Sequence, residues 1–209
     1  TPHRRTDILR AQWGATPSTL VLLSVGRLAA EKNLDLVVQS YRQIQGVVTD
    51  CKLVFVGDGP YRSTLQSQCP DAVFAGFRTG SNLAEHYASA DLFLFPSLTE
   101  TFGNVTLEAM SSGLPVVAFE HAAAKELITP MQHGVLVSAG DTSRYVAEAM
   151  ALAVNAPLRH MMQSQTRPRA MEMGWTAIME KLESVYLSMM DTLESAQTGQ
   201  PQQHLINAA

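Results

Sequence analysis

One acidic and one basic pair of residues have types and spacings that suit a ligand-binding site. Glu100 and Glu108 are separated by seven residues, and Arg27 and Lys32 lie five residues apart in another turn of the chain. A carboxylate can accept hydrogen bonds from two neighbouring sugar hydroxyls, and cations beside a helix N-terminus suit a diphosphate. Each of the four residues, taken alone, also fits a solvated surface charge. Together with the elements that carry them, they favour a nucleotide-sugar site.

The acidic pair lies in a predicted strand–loop–helix–strand unit. An apolar run at 92–95 has the length and composition of a strand buried on both faces, and a helical pattern follows until Gly113. Asn104, Glu108 and Ser112 recur at intervals of four residues and predict a polar stripe on that helix. Because the loop follows a predicted parallel strand, it should lie at the edge where open α/β sheets bind ligands.

This unit predicts how a nucleotide-sugar would be held. The free amides at a helix N-terminus attract phosphate, because the helix dipole places positive charge there. Glu108 would accept hydrogen bonds from the ribose, and Glu100 would accept them from the transferred sugar. The amides expected to bind phosphate are those of Phe102, Gly103 and Asn104.

The basic pair follows the first predicted strand, at 20–25. Gly26 allows a tight exit from that strand, and Lys32 is predicted in the first turn of a helix that runs to about residue 44. The helix macrodipole disfavours a cation at this position. A diphosphate bound between Arg27, Lys32 and the helix terminus would remove the conflict, whereas a solvated surface pair is the alternative interpretation.

The whole pattern predicts an α/β fold with a Rossmann-like, doubly wound parallel sheet of about six strands and extra carboxyl-terminal helices. The predicted strands are 20–25, 52–56, 72–75, 92–95, 116–119 and 133–137. Further helices are predicted at 60–68, at 81–89, and from Asp141 or Thr142 to about residue 154. A G-x-G sequence at 57–59 lacks the third glycine of a dinucleotide fingerprint, so it is interpreted as a structural turn.

The sequence PSLTETFGNVTLEAMSSGLPVV, at 96–117, resembles the E-x7-E segment of retaining glycosyltransferases of the large group 1 (family 4) class. Enzymes of that family have the GT-B fold, in which two Rossmann-like domains are joined and the second binds the donor. The G-R-L-x-x-x-K sequence that begins at Gly26 is similar to the family's phosphate-clamping turn. The resemblance runs from about residue 20 to residue 141 and continues more weakly to 186.

The resemblance implies the donor-binding half of an enzyme that moves a hexose from a UDP or GDP sugar to an acceptor hydroxyl, with retention of configuration. The donor would be a nucleoside diphosphate sugar, and no cofactor or metal is implied. The candidate catalytic residues are Arg27 and Lys32, which would stabilise the departing diphosphate, and Glu100. The candidate donor-binding residues are Gly26, Phe77, Arg78, Thr101, Phe102, Gly103, Asn104 and Glu108, with Phe77 and Arg78 beside the base.

Two places depart from the family's pattern. Asn33 stands where many relatives carry glycine, which we expect to matter little because the side chains bind the phosphates. Ala122, Ala123 and Ala124 stand where relatives often carry paired glycines. Whether this alanine loop contacts the donor is left open.

Composition divides the chain into four parts. Residues 1–14 are a basic lead-in with a short helix, which in similar enzymes follows the hinge, and 15–156 form the nucleotide-sugar-binding domain. Residues 157–194 are Met-rich and helical, with breaks expected at Pro168 and Gly174, and 195–209 form a Gln-rich tail.

The resemblance also predicts a partner for this chain. An amino-terminal acceptor domain is expected ahead of residue 1, so that the chain alone should transfer little sugar. In GT-B enzymes the last helices cross back to cover that domain. An amphipathic stretch from 175 to 193, with Ile178, Leu182, Val185 and Met189 on one face, is therefore our hypothesis for an interdomain surface.

Composition argues against several other classes of protein. The balance of 15 Lys and Arg against 19 Asp and Glu disfavours a nucleic-acid binder. The chain shows no signal peptide and no apolar run near the ~18 residues of a membrane span, so we expect a cytoplasmic protein. Contact with the inner face of a membrane would come through the acceptor domain. Cys51 and Cys69 are predicted to be small buried hydrophobes in a reducing compartment, and the six histidines lack metal-ligand spacing.

Two alternatives stay open at this point. One is a non-catalytic nucleotide-sugar-binding module, and the other is half of a nucleotide-sugar epimerase. An NAD-dependent oxidoreductase is disfavoured, because the first strand is not followed by G-x-G-x-x-G. The base, the sugar and the acceptor are not determined by these patterns.

Overall fold

The computed structural model describes residues 4–99, 104–174, 179 and 182–190 of the chain. The strands are β1 (Leu20–Val25), β2 (Cys51–Val56), β3 (Val73–Gly76), β4 (Leu92–Phe95), β5 (Val116–Phe119) and β6 (Gly134–Val137). They form one sheet in the order β3-β2-β1-β4-β5-β6, and all neighbouring pairs are parallel. This order starts from β1 and proceeds in both directions, as in a doubly wound sheet. The predicted fold class is confirmed.

Eight helices lie in the described part of the first 171 residues. They are α1 (Asp7–Gln12), α2 (Leu34–Gln45), α3 (Arg62–Gln68), α4 (Gly80–Ala88), α5 (Asn104–Ser111), α6 (Ala122–Leu127), α7 (Thr142–Val154) and α8 (Ala156–Met171). Helix α7 begins where predicted, because the Asp141 side chain accepts a hydrogen bond from the Arg144 amide at 2.9 Å. Helix α2 packs against α7, and α5 packs against α4 and α6.

The strands form the core because they are apolar along their whole length. Every residue of β1, β4 and β5 is buried, so helices must cover both faces of the sheet. The largest buried side chains of the core come from strands and helices alike, and include Tyr41, Phe55, Phe93, Phe119 and Tyr145.

The helix predicted to contain Lys32 begins later than expected. Ala30–Lys32 is a single 3-10 turn, Asn33 adopts the left-handed conformation with φ of 56°, and α2 starts at Leu34. The placement of Lys32 in the first turn of α2 is therefore wrong, and the argument from the helix dipole does not apply to it. A left-handed residue suits glycine best and asparagine next, which is why asparagine is accommodated at this position.

Pro168 was expected to end a helix, and this expectation is wrong. Helix α8 continues through Pro168 to Met171. A proline inside a helix removes one backbone hydrogen bond and crowds the preceding turn. The helix extends only three residues beyond Pro168, so the proline lies in its last turn.

Arg10 ties α1 to the amino-terminal edge of the sheet. Its side chain is fully buried, although arginine is rarely buried without partners. The guanidinium donates to the carbonyl oxygens of Ser89 at 2.7 Å and Thr16 at 2.8 Å, and to the Asp91 carboxylate at 3.2 Å. Asp91 also accepts from the Val21 amide at 2.8 Å, so one cluster joins α1 to the starts of β1 and β4.

A second polar cluster lies at the same edge, before β3. The Asp71 carboxylate accepts hydrogen bonds from Arg42 at 2.7 Å, from Tyr41 at 3.0 Å and from Gln45 at 3.1 Å. The Arg42 guanidinium holds the pKa of Asp71 well below its usual value. This cluster joins α2 to the loop between α3 and β3.

Residues from 171 onward form a separate unit, of which residues 182–190 are helical. The predicted interdomain surface lies partly outside the described residues, at 175–178, 180–181 and 191–193, and it stays a prediction. The predicted tail, 195–209, lies wholly outside them. Among the described residues, every helix falls short of the length and apolar content that crossing a membrane requires.

Candidate functional site

The turn after β1 is held in place by two glycines of the loop after β2. A Cβ atom on Gly57 would lie 1.9 Å from the Gly26 oxygen, and one on Gly59 would lie 2.3 Å from the Leu28 oxygen. The Leu28 amide donates a hydrogen bond to the backbone carbonyl oxygen of Asp58 at 3.0 Å. The G-x-G sequence is therefore a structural turn, as predicted, and it positions the residues around Arg27.

The backbone of Gly26 faces open space, since a Cβ atom there would meet nothing within 4 Å. Arg27 is exposed, and its guanidinium lies 3.7 Å from the Glu31 carboxylate. The Lys32 ammonium donates to the Thr99 carbonyl oxygen at 3.4 Å, while the Thr99 hydroxyl donates to the Glu31 carbonyl oxygen at 3.3 Å. These contacts connect the turn after β1 to the loop after β4.

A cavity of about 510 Å³ opens between these two loops. Gly26, Arg27, Lys32 and Thr99 are among its lining residues, so the structure brings the two predicted cations to one cavity. Both loops follow carboxyl ends of parallel strands on either side of the switch point, where ligands of such sheets bind.

A second cavity, of about 350 Å³, continues from the first and shares Gly26 and Arg27 with it. Its lining also includes Phe77, Arg78 and Glu108. A third cavity, of about 400 Å³, shares Glu108 with the second. We call the three cavities together the carboxyl-edge groove.

Most described candidates line this groove. Phe77 is 73% exposed, which is unusual for so large an apolar ring. Asn104 is exposed at the first position of α5 but is not among the lining residues of the three cavities. Ser112 is 7% exposed, so the predicted polar stripe is wrong beyond Glu108.

Four candidates, Glu100, Thr101, Phe102 and Gly103, lie outside the described residues. The predicted role of Glu100 and the predicted phosphate contacts of the Phe102 and Gly103 amides therefore stay predictions.

Glu108 has a buried partner that the sequence analysis missed. The Tyr87 hydroxyl of α4 donates to a Glu108 carboxylate oxygen at 2.8 Å, and Tyr87 is only 1% exposed. Burial raises the pKa of Tyr87 well above its ordinary value, and the charge of Glu108 and the hydrogen bond to it act in the same direction. The two residues are 21 positions apart and belong to different helices. Their spacing in the sequence therefore gave no signal.

The alanine loop after β5 begins with a strained residue. Ala122 adopts a φ of 46°, in the left-handed region that glycine occupies without cost. A small cavity beside it, of about 10 Å³, is lined by residues that include Thr106, His121, Ala123 and Ala124. Among the described residues, the fully buried Thr106 hydroxyl finds no hydrogen-bond partner. A polar cavity of this size is close to the minimum for one water molecule.

The two cysteines are buried, as predicted from the sequence. Both Cys51 and Cys69 are buried and free, and burial raises the pKa of each thiol to about 11. The described part of the chain contains no group of three or more His, Cys, Asp or Glu residues placed to hold a metal ion.

The family model described as "Glycosyl transferases group 1" matches residues 19–155. The chain is 36% identical over 183 residues to a GDP-mannose-dependent alpha-mannosyltransferase of Mycobacterium tuberculosis. The match covers 87% of this chain and 46% of the relative. It is 33% identical over 187 residues to the sulfoquinovosyl transferase SQD2 of Arabidopsis thaliana, covering 87% of this chain and 36% of the relative. The chain thus spans less than half the length of these curated relatives.

Solved structures show the same fold at lower identity. HepE of Anabaena, in complex with UDP, superposes with a TM-score of 0.75 and 23% identity, covering 89% of this chain and 54% of that one. TarM of S. aureus, crystallised as a mutant with UDP among its ligands, gives a TM-score of 0.70 and 20% identity, covering 82% and 37%.

Proposed function

The chain belongs to the group 1 glycosyl transferases, and from this we propose that it is the donor-binding half of a retaining hexosyltransferase. The donor would be a nucleoside diphosphate sugar, and the acceptor would be a hydroxyl group. One observation carries the proposal: Arg27, Lys32 and Glu108, from separate elements, all line the carboxyl-edge groove. A dinucleotide fingerprint is absent from the turn after β1, which disfavours the oxidoreductase alternative.

Arg27 and Lys32 would act on the diphosphate. When the bond between the sugar and the diphosphate breaks, negative charge grows on the leaving group. Two cations beside the leaving group would stabilise that charge more than they stabilise the bound donor, and such differential stabilisation lowers the barrier. Because the side chains supply the positive charge, we propose that transfer does not depend on a metal ion.

Glu108 and the exposed ring of Phe77 would bind the nucleoside. They line the same cavity, with Arg78 beside them. A carboxylate accepts hydrogen bonds from the two ribose hydroxyls, and an exposed aromatic ring can stack on the base. The diphosphate would then lie toward Arg27, which lines both this cavity and the next one. Glu100 is proposed to contact the transferred sugar.

The named relatives favour guanosine and mannose in the donor. Three of the curated relatives that match at 35–37% identity are GDP-mannose-dependent alpha-mannosyltransferases. The structures with UDP are more distant, at 20–23% identity. We therefore propose GDP-mannose as the donor, with a UDP hexose as the second candidate. The acceptor domain would be supplied by a part of the enzyme that this chain does not contain.

Calorimetric titration of the 209-residue chain with GDP, UDP and ADP, with and without EDTA, tests the proposal. We expect saturable binding of one diphosphate, GDP, that EDTA does not change. Arg27→Ala should weaken binding roughly 10- to 100-fold, because it removes a charged hydrogen-bond donor.

Arg144→Ala is the matched control for this titration. Arg144 forms an ion pair with Glu148 four residues later, as Arg27 does with Glu31, but it lies on α7. Its replacement should leave the affinity for GDP unchanged. Absence of binding to all three diphosphates, or equal effects of Arg27→Ala and Arg144→Ala, would contradict the proposed site.

A further inference from the structure

Tyr87 occupies an unusual position relative to the carboxyl-edge groove. Its ring is buried and packs edge-on against Phe93 of β4, with ring centroids 5.8 Å apart. Its hydroxyl nevertheless reaches Glu108 at the groove, at 2.8 Å. A rigid residue of the core thus contacts an exposed acid directly.

This contact restricts where the Glu108 carboxylate can lie. A glutamate on a helix surface rotates about three side-chain bonds, and fixing it on ligand binding costs conformational entropy. If Glu108 turned toward solvent, the buried Tyr87 hydroxyl would lose its partner, which is unfavourable for a group removed from water. The carboxylate is therefore held at the groove before any ligand arrives.

We propose that Tyr87 is a positioning residue, which orients Glu108 to receive the ribose hydroxyls of the donor. This inference rests on the proposed function, in which Glu108 binds the ribose. An ionised carboxylate offers about four acceptor sites, and the Tyr87 hydroxyl uses one of them. The remaining sites suffice for the 2′- and 3′-hydroxyls.

The protonation state of Tyr87 agrees with this role. Only the protonated phenol can donate to a carboxylate. Burial, followed by the charge of Glu108, raises the pKa of Tyr87 well above its ordinary value. The hydroxyl therefore stays a donor at any pH at which an enzyme of this kind would work.

A purely structural bond between α4 and α5 makes a different prediction. Such a bond would change the stability of the free chain but not its preference among ligands. A positioning bond must act on the ribose hydroxyls in particular. The preference for a ribonucleotide over its deoxy analogues separates the two roles.

The experiment compares dissociation constants of the full 209-residue chain for GDP, 2′-deoxy-GDP and 3′-deoxy-GDP. Wild type, Tyr87→Phe, Glu108→Gln and the double variant are titrated, and each is melted without ligand to confirm folding. We expect wild type to bind GDP about tenfold more tightly than it binds the weaker of the two deoxy analogues. That analogue lacks a hydroxyl that hydrogen-bonds to a charged group. Tyr87→Phe should reduce this preference to about two- to threefold, and in the double variant it should add nothing to Glu108→Gln.

Tyr61→Phe is a matched control. The Tyr61 hydroxyl donates to the Asp35 carboxylate at 2.8 Å, so the same kind of hydrogen bond is removed. Neither Tyr61 nor Asp35 is among the lining residues of the three cavities. This variant should keep the wild-type preference. Glu108→Asp gives a second measurement, because the shorter side chain cannot reach Tyr87 and the ribose together, and it should behave as Tyr87→Phe does.

The outcomes distinguish this inference from the proposed function. If Glu108→Gln abolishes the preference while Tyr87→Phe and Glu108→Asp both keep it, the positioning role is overturned and the ribose site stands. If wild type binds GDP without preferring it over either deoxy analogue, Glu108 does not bind the ribose and the inference falls. If GDP, UDP and ADP all fail to bind in the calorimetric titration described above, the proposed function falls, and the inference falls with it.

Discussion

Thr106 is the buried threonine whose hydroxyl has no hydrogen-bond partner among the described residues. It lies on α5 between Asn104 and Glu108, and it lines the small cavity beside the alanine loop. A buried hydroxyl without a partner destabilises the folded state. We therefore expect the unpaired Thr106 hydroxyl to lower the stability of the folded chain.

Thr106→Val removes the hydroxyl and keeps the shape of the side chain. We expect the free energy of unfolding to rise by about 1 kcal/mol, because an unpaired polar group leaves the interior. Urea unfolding followed by circular dichroism measures the change. A decrease would contradict this expectation and would mean that the hydroxyl is hydrogen-bonded in solution, for example to a water molecule in the cavity.

Thr166→Val is the control for this substitution. Thr166 is also fully buried in a helix, but its hydroxyl donates to the Gln163 carbonyl oxygen at 3.3 Å. Its replacement should lower the stability slightly, so the two variants should move in opposite directions.

At the residue scale, the sequence identified candidate side chains but not their contacts. Arg27, Lys32 and Glu108 were recognised because their types suit phosphate and ribose and because the motifs around them resemble a family. Tyr87 was missed, since the contact with Glu108 arises only when α4 and α5 lie side by side. A pattern within one element does not report a contact between two.

At the scale of elements, the turn after β1 depends on the turn after β2. Gly57→Ala should lower the free energy of unfolding by about 3–5 kcal/mol, through a left-handed alanine and a clash with the Gly26 oxygen. That oxygen would lie 1.9 Å from the new Cβ atom, and Gly57 has a φ of +135°. Chemical unfolding of the purified variant gives the value.

Gly140→Ala separates the clash from the backbone strain. Gly140 has a φ of +85°, but a Cβ atom there would meet nothing within 4 Å. Only the strain of about 1–2 kcal/mol should appear. Equal losses in Gly57→Ala and Gly140→Ala would show that the packing of the two turns contributes nothing.

The strands were predicted well because parallel strands buried on both faces appear as continuous apolar runs. The break between the Ala30–Lys32 turn and α2 was missed, although asparagine favours turns and helix starts over helix interiors and Asn33 lies at the break. The continuation of α8 through Pro168 was also missed. Proline is a strong signal for the end of a helix, but Pro168 lies within α8, close to its end at Met171.

For the whole molecule, one buried histidine predicts a pH-dependent stability. His86 of α4 is 2% exposed, and its ring lies 5.5 Å from that of Trp13. Burial lowers the pKa of His86 and outweighs the hydrogen bond with the Asn82 carbonyl oxygen, which raises it. The smaller effects of the Arg78 and Glu85 charges oppose each other. The folded state therefore binds a proton less readily than the unfolded state.

The stabilising contribution of neutral His86 is complete above the unfolded pKa of about 6.5 and is lost as the pH falls toward the lower, folded value. We expect the free energy of unfolding of wild type to decrease as the pH falls below about 6.5. His86→Phe, which stays neutral, should flatten this decrease. Urea titrations at several pH values measure the slope, and an unchanged slope in the variant would contradict the assignment.

The fold of the whole domain followed from its pattern, whereas the chemistry of the donor did not. Apolar runs and helical periodicity specify a doubly wound sheet, and the sheet in turn places the binding loops at one edge. In the proposed function, Phe77 and Arg78 would contact the base of the donor, and both line the carboxyl-edge groove. Those contacts depend on the geometry of the groove rather than on residue type alone.

The two polar clusters around Arg10 and Asp71 lie at the amino-terminal ends of the strands, whereas the carboxyl-edge groove lies at the opposite ends. Substitutions at the carboxyl-terminal ends of the strands should therefore affect stability less than substitutions in the two clusters at the amino-terminal ends. If Phe77 and Arg78 contact the base as proposed, libraries that randomise them should change the donor preference while the Arg10 and Asp71 clusters stay intact. Changes of donor specificity made at the groove should therefore leave the thermal stability that the two clusters contribute unchanged.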